Sequence, residues 1–182
     1  NYPSVMAWVP VNESWGVDQL TQGSKDPRLV HHLMTMYHLT KSIDPTRIVV
    51  GNDGWHQAAT DLIAIHDYTQ DAADLQAKYR KFKEDRHTKT FTHGHQILLP
   101  GYAYQGQRIM ITEFGGVKVE EQGAEGWGYG DAATDYQDML GRLQRLVNVI
   151  LAEDEICGYC YTQLTDVEQE VNGLLTYDRQ VK

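Results

Sequence analysis

A chain of 182 residues, 41% hydrophobic and 23% charged, is long enough for one domain with a substantial core and too apolar for disorder. A net charge of −9 disfavours nucleic acid and anionic membrane surfaces as partners, because both need a basic face. No apolar run nears the roughly 18 residues that span a bilayer. The opening NYPSV has neither the charged nor the apolar region of a signal peptide, so a cytoplasmic location is expected.

Strand-like and helix-like runs alternate along the chain. VMAWVPV (5–11) reads as a buried strand that ends abruptly in Asn12-Glu13. The run KDPRLVHHLMTMYHLTKSIDPTR is helical, with Asp26 as N-cap, Pro27 as first helical residue and Val30, Leu33 and Tyr37 on one face. RIVVGN (47–52) and DLIAIHDY (61–68) are further strands, and the connection between them is too short for a crossover helix. TQDAADLQAKYRKFKEDR is a helix with Leu75, Tyr79 and Phe82 inward, followed by a polar connection over 87–107. RIMITEF (108–114) is a strand and leads into a Gly-rich loop. The longest helix, capped by Asp131, carries Met139, Leu143, Leu146, Val147 and Ile150 as its apolar stripe. EICGYCYT (155–162) is the last strand. Its Cys157 and Cys160 lie three apart, so they point to opposite faces, and the apolar surroundings favour two separate core thiols over metal or redox chemistry.

Five continuous apolar strands alternating with helices indicate a parallel sheet covered on both faces. The absence of G-x-G-x-x-G and of a P-loop argues against a nucleotide-binding doubly wound sheet. Several strands instead end in chemically capable groups: Asn12-Glu13, His66-Asp67-Tyr68, Glu113 and Tyr161–Gln163. Reactive side chains at the C-terminal ends of several strands are the pattern of a (β/α)8 barrel. Either glutamate alone reads equally well as a strand-end residue in water. Two on two strands form a pair whose pKa values a shared cleft would separate into acid and base.

PSVMAWVPVNESWG together with RIMITEFGG resembles the catalytic barrel of glycoside hydrolase family 2, the β-galactosidase and β-glucuronidase group, and GYCYTQLTDVEQEVNGLLTYDR resembles the last strand and loop of bacterial members. The resemblance implies a partial (β/α)8 TIM barrel, strands four to eight with their helices. It implies that strands one to three and the β-sandwich domains ahead of the barrel lie outside these 182 residues. It makes Glu13 the general acid/base and Glu113 the nucleophile of a retaining β-glycosidase. Asn12 would bind the sugar 2-hydroxyl, and Tyr68 would orient the nucleophile. The family usually has a Trp at the end of strand eight, where this chain has Tyr161.

His66 is a further candidate for sugar hydroxyls. Trp15, Trp55, Trp127 and Tyr129 are candidate stacking surfaces, with ordinary loop packing the competing reading; Trp127 is retained as a substrate-binding residue. The HGH at 93–95 and the HH at 31–32 suggest a metal only loosely, because both belong to the bottom of a barrel, and no cofactor is expected. The expected partner is a carbohydrate, with self-association through the open side of the barrel and little activity from these residues alone. A non-catalytic carbohydrate-binding module is the rival reading, and a metal-dependent hydrolase a third. The paired carboxylates speak against the binding module.

Overall fold

The computed structural model describes residues 2–15, 17, 26–85, 94–120 and 126–182. In chain order it runs β1 (Ala7–Trp8), α1 (Pro27–Ile43), β2 (Ile48–Val49), β3 (Ile63–Asp67), α2 (Ala72–Glu84), β4 (Ile109–Gly115), α3 (Tyr136–Leu151) and β5 (Ile156–Thr162). Pairing is parallel throughout: β1 with β2, then β3 with β4 and β4 with β5. The result is a partial α/β barrel whose sheet does not close. No helix among the described residues is long and apolar enough to cross a membrane.

The helices begin where an aspartate can satisfy free amides. Asp26 accepts from Arg28 N with Pro27 at the first turn, and Asp71 accepts from Ala73 N and Asp74 N. For α3 the cap is Asp135, not the expected Asp131. Ala133 is held in a bridge with Val119, so the chain turns helical only after it, and Asp135 accepts from Asp138 N. The inner faces follow the apolar spacing. Leu75, Tyr79 and Phe82 of α2 meet Leu146 and Ile150 of α3 over Ile63, Ile65, Ile109, Ile111 and Phe114 of the sheet. Leu29 and Leu33 of α1 form a second cluster with Val11, Val17, Ala58 and Leu99.

β2 and β3 share no ladder, and Gln57 spans the gap. Its side-chain amide donates to the Ala64 carbonyl at 2.6 Å and accepts from the Ala64 amide at 3.2 Å, completing the edge of β3. Its own backbone pairs with Ile97 and Leu99. The connection expected to be simply polar therefore buries Ile97, Leu98 and Leu99; its residues 87–93 lie outside the described residues.

Two expectations need correction. The first strand is not a buried run over 5–11: only Ala7–Trp8 is strand, and Met6, Trp8 and Val9 are exposed. Cys157 and Cys160 are not core thiols; both are exposed. The cause is shared. β1 and β5 are edge strands of an open sheet, so the apolar character of their sequences outruns the cover available to them.

Candidate active site

Asn12-Glu13 is brought to the end of β2 by a bridge between Asn12 and Asp53, with Glu13 N donating to the Asp53 carbonyl at 3.0 Å. Glu13 and Ser14 then both take the left-handed conformation, at φ of 52° and 59°. Non-glycine residues rarely sit there, and such strain persists only where the surroundings impose it. Here the buried Asn52 imposes it. Its Oδ1 accepts from Ser14 N at 3.1 Å, and its Nδ2 donates to Ser14 Oγ and to the Trp55 carbonyl, each at 2.8 Å. The turn aims the Glu13 carboxylate back over the sheet.

That carboxylate meets His66 near the end of β3. Glu13 Oε1 lies 2.6 Å from His66 Nδ1, and Glu13 Oε2 accepts from Trp15 Nε1 at 2.7 Å. His66 Nδ1 is also 3.5 Å from Glu113 Oε2 on β4, and His66 Nε2 is 3.3 Å from Asp53 Oδ1. Tyr68 donates its hydroxyl to Glu113 Oε2. Thr112 donates to Asp53 Oδ1 at 2.5 Å. The ring is walled in by Trp55, edge-on at 5.8 Å, and by Gly54, where φ is +91° and a Cβ would approach Nδ1 to 2.8 Å.

The electrostatics follow from this arrangement. Burial alone would lower His66, but Asp53 and Glu13 bond to its ring and Asp53 and Glu113 attract its charge, so its pKa is held up at about 9. Burial would raise Glu13, yet the donors His66 and Trp15 outweigh it and leave the carboxyl below its usual range. Glu113 goes the other way: burial raises it, Glu13 and Asp53 repel its charge, and His66 and Tyr68 only partly compensate. Burial and then the Glu113 acceptor push the Tyr68 phenol far up, so it stays a donor. The carboxyl pair thus has separated proton affinities, with Glu113 the tighter proton holder of the two.

The structure brings Glu13, Glu113, His66 and Tyr68 together. Donor atoms of Glu13, His66 and Glu113 lie within 4.8 Å of one another, a spacing that could also hold a metal ion. The HH pair is not part of this cluster: His31 and His32 are exposed on α1. His95 stacks on Trp55 at 4.6 Å, and His93 lies outside the described residues. Asn12 is exposed at the rim. His66, expected to touch sugar hydroxyls, is fully buried, with both ring nitrogens facing carboxylates. Trp55 is buried core, not a sugar platform. Trp15 is 72% exposed, and Trp127 is half exposed, edge-on to Tyr129, which stacks on Tyr68. Tyr161 donates to the Asn172 carbonyl at 3.1 Å and lies against Gly115, where a Cβ would collide with its ring. Sequence reasoning missed Asp53, Asn52 and Thr112. A signal for the first two was present: GND ends the second strand much as VNE ends the first.

Two strand-end glutamates joined through a buried imidazole are a hydrolase-like constellation, and the full length of the chain, residues 1–182, matches the profile of Glycosyl hydrolases family 2, TIM barrel domain. The chain belongs to glycosyl hydrolase family 2. Solved structures agree on the fold of this family 2 domain. A Bacteroides uniformis β-glucuronidase matches at TM-score 0.68 and 17% identity, over 100% of this chain and 23% of that one. Bacteroides uniformis β-glucuronidase 2, covalently bound to cyclophellitol-6-carboxylate aziridine, matches at 0.65 and 16%, over 100% and 23%. An Eisenbergiella tayi β-galacturonidase bound to galacturonate matches at 0.63 and 14%, over 100% and 32%. This family 2 chain therefore spans between about a quarter and a third of those proteins' length. No curated protein matches it.

Proposed function

We propose that this domain carries the catalytic pair of a retaining β-glycosidase of the β-galactosidase and β-glucuronidase type, with a carbohydrate β-glycoside as substrate. The observation that carries the reading is the closeness of the two carboxylates. One oxygen of Glu13 and one of Glu113 lie within 4.8 Å of each other, in keeping with the short carboxyl separation, roughly 5–5.5 Å, that goes with retention. The covalent complex of Bacteroides uniformis β-glucuronidase 2 is in keeping with a nucleophilic route in this fold.

In the first step a Glu113 oxygen attacks the anomeric carbon, the bond to the leaving oxygen breaks, and Glu13 gives that oxygen its proton. Tyr68 holds Glu113 in line by its hydroxyl. In the second step Glu13, now a carboxylate, takes a proton from water. The water oxygen bonds to the anomeric carbon, and the ester to Glu113 breaks. Two inversions return the starting configuration. His66 and Trp15 favour Glu13 as a carboxylate, the form it has between the two steps. For the first step the proton must pass to Glu13, which an aglycone promotes by drawing the Trp15 N–H away from Oε2. Asn12, exposed at the rim, would bind a sugar hydroxyl, and Trp127 with Tyr129 would supply a stacking edge.

Kinetics of two variants test the reading. Glu113→Gln should abolish turnover of every glycoside. Glu13→Gln should spare the first step for leaving groups such as dinitrophenolate, which need no acid, and should lose 10²-fold or more with alkyl glycosides. Equal losses on both substrate types in Glu13→Gln would overturn the assignment. We further propose that these residues supply barrel strands four to eight, that the remaining strands come from the rest of the protein, and that the 182 residues alone turn over little substrate. A non-catalytic binding module has no use for two partly buried, convergent carboxylates.

A further inference from the structure

The cluster holds one more carboxylate than a retaining mechanism uses. Asp53 follows β2, and its backbone pairs with Asn12 and Glu13. Its side chain points to the far nitrogen of His66, with Oδ1 3.3 Å from Nε2, and is itself oriented by the Thr112 hydroxyl at 2.5 Å. Thr112 immediately precedes Glu113, so one short path runs from the nucleophile's neighbour through Asp53 to the imidazole, and from its other nitrogen to both glutamates. A neutral imidazole has one N–H; a carboxylate 2.6 Å from Nδ1 and another 3.3 Å from Nε2 together favour the ring that carries a proton on each nitrogen. Gly54 and Trp55 close the remaining sides, so the ring has no room to turn away.

We infer that Asp53 is a positioning residue that acts through His66, holding the imidazole as a fixed imidazolium whose Nδ1 proton is presented to Glu13 and Glu113. The inference rests on the roles proposed above for the two glutamates. The groups that face the ring are Glu13 from the turn after β1, Asp53 from the end of β2 and Glu113 from β4, with His95 beyond Trp55 and Tyr68 beyond Glu113. Among the described residues, this one imidazole is the cation that all three carboxylates share. Its fixed charge favours Glu13 as a carboxylate, the form it takes on giving up its proton and the form in which it later works as a base. Without a second anchor at Nε2, the ring would lose both its orientation and its hold on the proton.

The test is a pH titration of the histidine ring resonances of the ¹⁵N-labelled chain, with the exposed His31 and His32 as internal references. Asp53→Asn keeps the shape and can still accept from Thr112, but loses the charge. The His66 midpoint, about 9 in the unaltered chain, is expected to fall by one unit or more. In the enzyme that carries this domain, the same variant should lose at least 10-fold in kcat for alkyl glycosides with KM little changed, and much less for dinitrophenyl glycosides. Asp53→Glu, which restores the charge, should recover part of the loss. If Asp53→Asn fails to fold, Thr112→Val removes only the hydroxyl that aims Asp53 and should shift the midpoint in the same direction by a smaller amount. An unchanged His66 midpoint in the folded variant would overturn the inference. An unaltered enzyme that turns over no glycoside would instead overturn the proposed function, and the His66 midpoint would still decide the place of Asp53.

Discussion

At the scale of single residues, three donors decide how the carboxyl pair shares its proton: His66, Trp15 and Tyr68. Trp15→Phe removes the N–H that donates to Glu13 Oε2 and keeps an aromatic ring in place. Glu13 should then hold its proton more tightly, and the alkaline limb of kcat/KM should move to higher pH; a pH–rate profile checks this. His66 also links the site to stability. Its folded pKa is raised from an ordinary 6.5 to about 9, so its contribution is fully present below about 6.5 and is lost as pH rises through about 9. Glu13 is depressed, so its contribution holds above its ordinary 4.5 and fades as pH falls below that. Thermal melts across pH 5–10 should therefore decline on the alkaline side, and His66→Gln should flatten that decline. Gly54→Ala should destabilise by about 2 kcal/mol or more, because it meets both a positive φ and the His66 ring. Glu113 was legible from the strand that carries it, Tyr68 from the strand it follows, and Glu13 from its Asn-Glu pair, although its strand stops at Trp8 and Glu13 sits in the turn beyond. Asp53 was not, because its role depends on a cross-strand bridge that pattern alone does not reveal.

At the scale of elements, helices were readable and strands less so. Helix starts and inner faces are local properties: Asp26 and Asp71 cap their own first turns, and Leu75, Tyr79 and Phe82 are buried as their spacing predicts. Asp131 misled because it shares its type and neighbourhood with Asp135, and only the Ala133 bridge separates them. Strand extent is not local. VMAWVPV has a full strand's composition, yet two of its residues pair, because pairing needs a neighbour of matching length. The same dependence exposed Cys157 and Cys160 on the edge strand. Gln57→Leu tests the seam between β2 and β3. It leaves the Ala64 amide and carbonyl buried without partners, which should lower stability by about 1–3 kcal/mol in chemical denaturation. Leu146→Ala, in the core between α3 and the sheet, should cost about 2–5 kcal/mol by the same measurement, with the inward face of α3 left over a cavity.

At the scale of the molecule, an open parallel sheet presents its clustered carboxylates and its unpaired edges together. β1 and β5 have one partner each, and Met6, Trp8, Val9 and Ile48 lie exposed along the first pair. Unpaired edges recruit other chains, and burying apolar surface stabilises by about 25 cal/mol per Å². The 182 residues expressed alone should therefore self-associate. Light scattering that reports 20.7 kDa at every concentration would show instead that one chain covers its own open side. The claim on which the rest depends is that Glu113 is the nucleophile and Glu13 the acid/base. A mechanism-based glycosyl aziridine tests it most directly, applied to the enzyme that carries this domain and followed by peptide mapping in the mass spectrometer. The account predicts a single covalent adduct on Glu113, absent from Glu113→Gln; an adduct on Glu13, or one that survives Glu113→Gln, would contradict it.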